Sequence, residues 1–399
     1  MKLTPEEQAM LDGKEGKATQ KAMEIITRLG EIYGAKHLLP VTSVQVSGVS
    51  YDNLGDAGLE FLEEMAEGGG RSRVLTTLNP AGMDIENWQT LGIHEEFVKN
   101  QNRVLDAFAR MNIIPTASCT PYLIGNLPHF GEHIAWAESS AVCYANSVIG
   151  ARTNREGGPS ALAASLTGRT AAYGYHLKTN RQATFRVDVE AEVEENSDFG
   201  ILGKVIGEKI QSLKGKRVPF IKGIKRASVE NLKSFSASLA TYGGAALYHM
   251  FGITPEAGGL EIPEDGFTVT PLEIEEGRVS LNSTLETEVD FVSLGCPHLS
   301  IKEIARIAEL LAGKTVKKEF WITTARATKQ IADLMGYTAV IEEAGAKFAA
   351  DTCCVVAPIE GRFQAMASDS AKACYYGSTK NKFKTVIRPF DEVVKIALD

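Results

Sequence analysis

The 399-residue chain has no uninterrupted apolar run of the roughly 20 residues that a membrane-spanning helix requires. It has no basic excess either: 42 Lys and Arg stand against 50 Asp and Glu, for a net charge of −8. That balance disfavours a nucleic-acid surface, because neutralising phosphates takes a basic patch. Its six cysteines (Cys119, Cys143, Cys296, Cys353, Cys354 and Cys374) include no C-x-x-C pair. Zinc ribbons and thioredoxin-type chemistry therefore have no support, and a disulfide framework is not expected in a reducing compartment. The glycine-rich loops match neither G-x-G-x-x-G nor G-x-x-x-x-G-K-[ST], so standard dinucleotide and P-loop sites are not indicated. No internal repeat or low-complexity segment is evident.

What is present suits a cytoplasmic α/β enzyme: 44% hydrophobic residues, 23% charged residues and 37 glycines, with length for two or three domains. The opening Met1-Lys2-Leu3-Thr4-Pro5-Glu6-Glu7 reads as a helix start, not a signal peptide. Thr4 can cap, Pro5 fits the first turn and Glu7 closes a capping box. Apolar spacing predicts a helix from Lys17 to Tyr33, then a buried strand Leu38–Val46 that ends in the loop Ser47-Gly48-Val49-Ser50. A helix Leu59–Met65 and a strand Arg73–Leu78 ending at Asn79-Pro80 follow. A helix Glu95–Met111 then leads to a strand Ile113–Ala117 that delivers Cys119. This alternation predicts a largely parallel sheet, with ligands bound outside the carboxyl ends of its strands. Residues 135–151 read as helical. Residues 172–285 read as a mixed α+β region with strands Thr184–Val193 and Gly266–Ile274, a basic loop Lys214-Gly215-Lys216-Arg217 and a mainly structural role. The α/β rhythm returns over 286–399, where strands end at Cys296 and near Cys353. Residues 1–171 form the third expected unit.

Cys119, Cys296 and Cys353 or Cys354 share one context, a loop after an apolar strand. Their wide spacing fits no local metal motif but suits ligands converging from separate strand ends. Three thiolates could hold an iron–sulfur cluster and leave one iron open to substrate, although cysteine is also simply a small buried hydrophobe. Cys143 sits in a helical pattern and reads as core. His129-Phe130-Gly131-Glu132-His133 matches the zinc-peptidase string H-x-x-E-H, but Pro128 and Gly131 work against the helix which that chemistry needs. Arg152 and Arg155, beside Gly157-Gly158, have the character of anion binders or of surface ion-pair partners. Lys372, after Ser368-Asp369-Ser370, has the same two readings. Glu138-Ser139-Ser140 offers an acid and hydroxyls either to a ligand or to its own helix.

Several strings are familiar as a set. Val46-Ser47-Gly48-Val49-Ser50-Tyr51, Thr77-Leu78-Asn79-Pro80-Ala81-Gly82, Cys119-Thr120-Pro121-Tyr122 and Ala135-Trp136-Ala137-Glu138-Ser139-Ser140 resemble the aconitase X family. So do the run from Asn146 to Gly158, Gly295-Cys296-Pro297-His298 and Asp351-Thr352-Cys353, and the likeness spans nearly the whole chain. The resemblance implies an aconitase-like multi-domain α/β/α architecture with largely parallel sheets. It also implies a [4Fe-4S] cluster on Cys119, Cys296 and Cys353, with Asp351-Thr352 pointing to Cys353 over its neighbour Cys354. Substrate contacts would fall on Gly48, Val49, Ser50, Asn79, Pro80, Glu138, Ser139 and Lys372, with Glu138 and Ser139 nearest the chemistry. Cys374 has no family role.

Within the family the likeness is greatest to the archaeal branch, whose large subunits pair with a separate small subunit carrying the swivelling domain. It implies a hydro-lyase of the mevalonate (isoprenoid) pathway that dehydrates (R)-5-phosphomevalonate to trans-anhydromevalonate 5-phosphate. Iron would polarise the departing hydroxyl, Glu138 would hold or protonate it, and the proton-abstracting serine would come from the partner. The absence of a fused small domain leans towards this two-subunit form. The alternatives are a cis-3-hydroxy-L-proline dehydratase of the same family, a zinc hydrolase at His129, Glu132 and His133, and a non-enzymatic subunit. The complete set of three cysteines weighs against the last.

Overall fold

The structure, a computed structural model, describes residues 1–213, 215 and 217–399. Lys214 and Lys216 of the expected basic loop lie outside those residues. The chain opens as its first residues predict. Thr4 caps the helix Pro5–Leu11, accepting from the Glu7 N–H at 3.2 Å, while the Glu7 carboxylate accepts from the Thr4 N–H at 2.9 Å.

Three parallel sheets organise the chain. In the first, β2 (Ser43–Val46) lies between β3 (Leu75–Leu78) and β4 (Ala135–Trp136), while β1 (Leu38–Pro40) pairs antiparallel with β5 (Arg169–Ala171) to one side. The second has the order β8 (His249–Met250), β7 (Pro219–Lys222), β6 (Phe185–Val189), β9 (Gly266–Val269). The third runs β12 (Lys347–Ala350), β11 (Glu319–Thr324), β10 (Phe291–Leu294), β13 (Ala365–Ser368), β14 (Lys384–Ile387). Buried on both faces, the strands of the third sheet read as near-continuous apolar runs, as parallel sheets do.

Four expectations need correction. The single strand Leu38–Val46 is two, because Pro40 has no N–H to continue a ladder and the chain changes partners there. Ile113–Ala117 makes only one bridge, between Ile114 and Thr77; Pro115 interrupts it and Ala117 turns away with φ +42°. The third strand of that sheet comes instead from Ala135-Trp136, within the stretch predicted as helix. Trp136 is fully buried beside β2, and the helix begins only at Ser139, where the Glu138 carboxylate accepts from the Ser140 N–H. Finally, the region 172–285 is not mixed: its four strands are all parallel, and the strand expected to reach Ile274 ends where Thr270 caps the helix Pro271–Ser280.

Each sheet has its own apolar core, and a further cluster joins the first and third units. Met83, Leu91, Ile93 and Val98 pack there on Phe291, Trp321 and Met366, with Cys296 and Cys354 in the same cluster. Burial of each large side chain contributes about 1.5–3 kcal/mol, so this seam holds the segment after β3 against the third sheet. The turn leaving β10 depends on Gly295, whose φ is +108° and whose missing Cβ would sit 2.2 Å from the Thr323 carbonyl oxygen. Gly295→Ala is expected to destabilise the chain by about 3 kcal/mol through strain and overpacking. A fall in the urea unfolding midpoint at unchanged slope would register it.

Candidate active site

Loops from the first and third sheets meet at one polar centre. Asn79 follows β3, buried, with its backbone N–H donating to the Val46 carbonyl at 2.9 Å. Its side-chain amide donates to Glu138 Oε2 at 3.0 Å. Glu138 Oε1 accepts from the Ser140 hydroxyl at 2.9 Å and from Lys372 Nζ at 2.6 Å. Lys372 is held by the first turn of the helix Ala371–Thr379, which Ser370 caps. Burial alone would raise the pKa of Glu138, but the Lys372 ammonium and the Ser140 donors override it and hold it at about 2. Burial works against the Lys372 charge as well, and the Glu138 carboxylate with the nearby thiols pushes its pKa well above the ordinary range. The pair is therefore an ionised carboxylate and an ammonium. Ser139 opens the helix beside it, half-buried.

Gly48, Val49 and Ser50 form the loop after β2. Gly48 has φ +78°, and the Ser50 hydroxyl donates to the Val356 carbonyl at 2.8 Å, so this loop reaches the third unit. The start of the helix Gly158–Thr167 presses on the same loop: a Cβ on Gly158 would lie 2.7 Å from the Ser47 carbonyl oxygen. Pro80 is buried, and the Ala81 N–H after it donates to the Asp351 carbonyl at 2.8 Å.

The three expected thiols converge on this centre. Cys119, Cys296 and Cys353 are buried and lie within electrostatic reach of one another and of Lys372. Burial is the largest effect on each; it pushes Cys119 up to about 12, and the neighbouring thiols add to it. Cys119 Sγ accepts the His298 N–H at 3.2 Å, and Cys353 accepts the N–H groups of Val355 and Val356. Cys354 instead faces Ser293 and Lys380, and Cys374 neighbours Cys354, so the doubled cysteine sends one thiol to the centre and one into the core. Cys143 packs among Ser147 and Ser236 in the core, as its helical setting predicts.

Three buried thiols beside an ammonium are a donor set on which an iron–sulfur group could be held. Among the described residues, no three or more His, Cys, Asp or Glu side chains are placed to hold a single metal ion. A single ion demands its donors within about 2.3 Å. A cluster spreads its thiolates over several irons, each with its own ligand. N–H groups already aimed at sulfur and an adjacent ammonium favour the thiolate form once positive charge arrives. Asn79 Oδ1 and Thr352 Oγ1, both buried without a partner, leave polar capacity at the same place.

Other expected residues are placed elsewhere. His129 is exposed in a turn and pairs with Glu132 at 3.3 Å, whereas His133 Nδ1 faces His176 Nδ1 at 2.9 Å, so the H-x-x-E-H string has neither a helix nor convergence. Arg155 is exposed; Arg152 is half-buried, with its Nε unpartnered.

Sequence reasoning missed several supports. Gln101, fully buried on the helix Glu95–Arg110, accepts from the Tyr51 and Gly82 N–H groups and donates to the Val49 carbonyl, so one amide holds both substrate loops. Asp84, also fully buried, accepts from the Ala350 N–H at 3.0 Å and from the Arg326 guanidinium, which also clasps Asp351. Lys233, in the region expected to be mainly structural, donates to the His298 carbonyl at 2.9 Å and pairs with Glu303 at 2.6 Å. A lone amide on the apolar face of a strongly amphipathic helix was the one available signal for Gln101. The others have no local signature.

Comparisons with known proteins identify the family. Family models for the aconitase X first, second and third domains match residues 1–179, 183–279 and 289–399. The phosphomevalonate dehydratase large subunit of Methanothermobacter thermautotrophicus is 48% identical over 93% of this chain and 92% of its own length. That of Methanocaldococcus jannaschii is 44% identical over 99% and 100%. The cis-3-hydroxy-L-proline dehydratase of Pseudomonas aeruginosa is 33% identical over 87% of this chain, which spans 61% of that protein. The crystal structure of Thermococcus kodakaraensis aconitase X in its holo-form superposes with a TM-score of 0.93 at 44% identity, covering all of both chains.

The lowered pKa of Glu138 has a measurable consequence. Its contribution to stability is complete above the ordinary carboxyl value of 4.5 and is lost as pH falls towards about 2. At about 1.4 kcal/mol per tenfold change in acidity, the full effect is about 3 kcal/mol. In urea unfolding series between pH 6 and 3, the wild type should lose stability more steeply than Glu138→Gln. Parallel profiles would contradict the assigned charge state.

Proposed function

Because the chain belongs to the aconitase X family, we propose that it is the large, catalytic subunit of a phosphomevalonate dehydratase. In this reading it is a hydro-lyase that converts (R)-5-phosphomevalonate to trans-anhydromevalonate 5-phosphate within the mevalonate route to isoprenoids. The observation that carries the reading is the ionised Glu138–Lys372 pair, with Asn79, set beside three buried thiols. Large subunits at 43–48% identity favour this substrate over hydroxyproline, whose dehydratases match at 33–34%.

Cys119, Cys296 and Cys353 would hold a [4Fe-4S] cluster. When bound, it supplies a Lewis-acidic iron for the tertiary hydroxyl, which is otherwise a poor leaving group. The chain's own residues then bind and orient. Backbone donors of the Gly48-Val49-Ser50 loop and the Lys372 ammonium suit the substrate's phosphate or carboxylate, and Asn79, Pro80 and Ser139 line the same centre. Glu138, ionised, accepts a hydrogen bond from the hydroxyl and fixes its direction. With a pKa of about 2 it does not donate a proton in its resting form, so holding rather than protonating is its role here. Dehydration removes the proton beside the carboxylate together with the hydroxyl, and no side chain of this centre is assigned as that base. The reading leaves it to the swivelling domain of a small subunit, consistent with relatives named as large subunits.

Anaerobic loading of the chain with iron and sulfide, in the presence of an archaeal small subunit, should give dehydration of phosphomevalonate and not of cis-3-hydroxy-L-proline. Cys119→Ser should lower bound iron and abolish turnover. Zinc without acid-labile sulfide in the loaded protein, or full activity in Cys119→Ser, would refute the proposal.

A further inference from the structure

Each of the three thiols follows a residue with positive φ: Ala117 at +42° before Cys119, Gly295 at +108° before Cys296 and Asp351 at +66° before Cys353. Two of these are not glycine, and such conformations persist only where surrounding contacts impose them. The thiol-bearing loops have therefore left their sheets, and something outside the ladders has to set them against one another.

His298 meets that need. It is fully buried, and each of its hydrogen-bonding atoms goes to a different residue. Its backbone N–H donates to Cys119 Sγ at 3.2 Å, and its carbonyl accepts from Lys233 Nζ at 2.9 Å. Its Nε2 lies 2.9 Å from the Thr352 carbonyl oxygen and its Nδ1 3.2 Å from Ser118 Oγ. A carbonyl only accepts, so Nε2 carries the ring proton and Nδ1 takes the Ser118 hydroxyl proton. One neutral imidazole thus ties the residue before Cys119 to the residue before Cys353, from a position two residues after Cys296. Ser118 is itself anchored, with its N–H on the Leu78 carbonyl and its carbonyl on Gln45 Nε2, each at 2.9 Å. Through Lys233 the second unit joins the same residue.

We propose that His298 is a positioning residue that locks the three thiol-bearing loops into one arrangement before any metal is taken up. With both ring nitrogens engaged by protein and no exposure, it does not touch substrate. The proposal rests on the reading that Cys119, Cys296 and Cys353 hold an iron–sulfur cluster, but the locking is assigned to the polypeptide's own hydrogen bonds and is tested on metal-free protein.

The test uses the full chain as wild type, His298→Ala, His298→Gln and Ser118→Ala. The glutamine keeps a donor for the Thr352 carbonyl. In the metal-free protein, alkylation by iodoacetamide is followed at each cysteine by mass spectrometry, with Cys143, buried in a separate core, as internal reference. His298→Ala should raise the rates at Cys119 and Cys353 at least tenfold while Cys143 stays protected. Ser118→Ala should raise them several-fold, and His298→Gln should recover much of the protection. After anaerobic loading with iron and sulfide, release to EDTA should accelerate in the same order. Wild-type rates at Cys119 and Cys353 in His298→Ala overturn the proposal. If all cysteines of His298→Ala open together, the chain has unfolded, and unchanged rates in Ser118→Ala then overturn it. A wild type that takes up no iron and sulfide refutes the cluster reading alone, since the alkylation rates still judge the histidine.

Discussion

A carboxylate and an ammonium buried against each other set the terms for this molecule. Glu138 and Lys372 lie 234 residues apart and meet at 2.6 Å, one beside the first sheet and one beside the third. Neither charge could be buried alone, because removing an ion from water costs several kcal/mol unless a partner and donors replace the solvent. The two units must therefore close on each other for either residue to sit where it does. The apolar seam around Phe291 and Trp321, the Ser50–Val356 hydrogen bond and the Asp84–Arg326–Asp351 group all serve that closure.

The thiols share in the same arrangement. In a dry setting each cysteine keeps its proton, and the Lys372 ammonium is the neighbouring charge that eases its loss. The charge that holds Glu138 ionised thus also lowers the cost of forming thiolates next to it. Binding chemistry and acid–base state are in this sense one electrostatic problem, solved with a single lysine.

Local chemistry made much of this legible in the sequence. The Thr4–Glu7 capping box and the strand-end loops carrying Asn79 and Cys296 stand where their residue types predict. What stayed hidden depends on contacts between distant segments. Ala135-Trp136 has no strand-like period of its own and is extended only because β2 offers it a ladder. Ile113–Ala117 looks like a strand until Pro115 and the turn at Ala117 deprive it of one. Nothing in the local pattern separates Cys353 from Cys354, and only the family resemblance preferred Cys353; the fold turns one towards Lys372 and the other towards Ser293. Gln101, Lys233 and His298 act across separations of 19 to 180 residues, which no window of sequence contains.

Those separations also order events in time. The hydrogen bond from His298 to Cys119 spans 179 residues, and that from Ser50 to Val356 spans 306. On a ribosome the first unit emerges with one of the three thiols and half of an ion pair, and contacts of such range form late. Any group that requires all three thiols can be captured only after Cys353 has been made and the two ends of the chain have met. A nascent or truncated chain presents no assembled set of three thiols, so assembly of the centre waits until both ends of the chain have met.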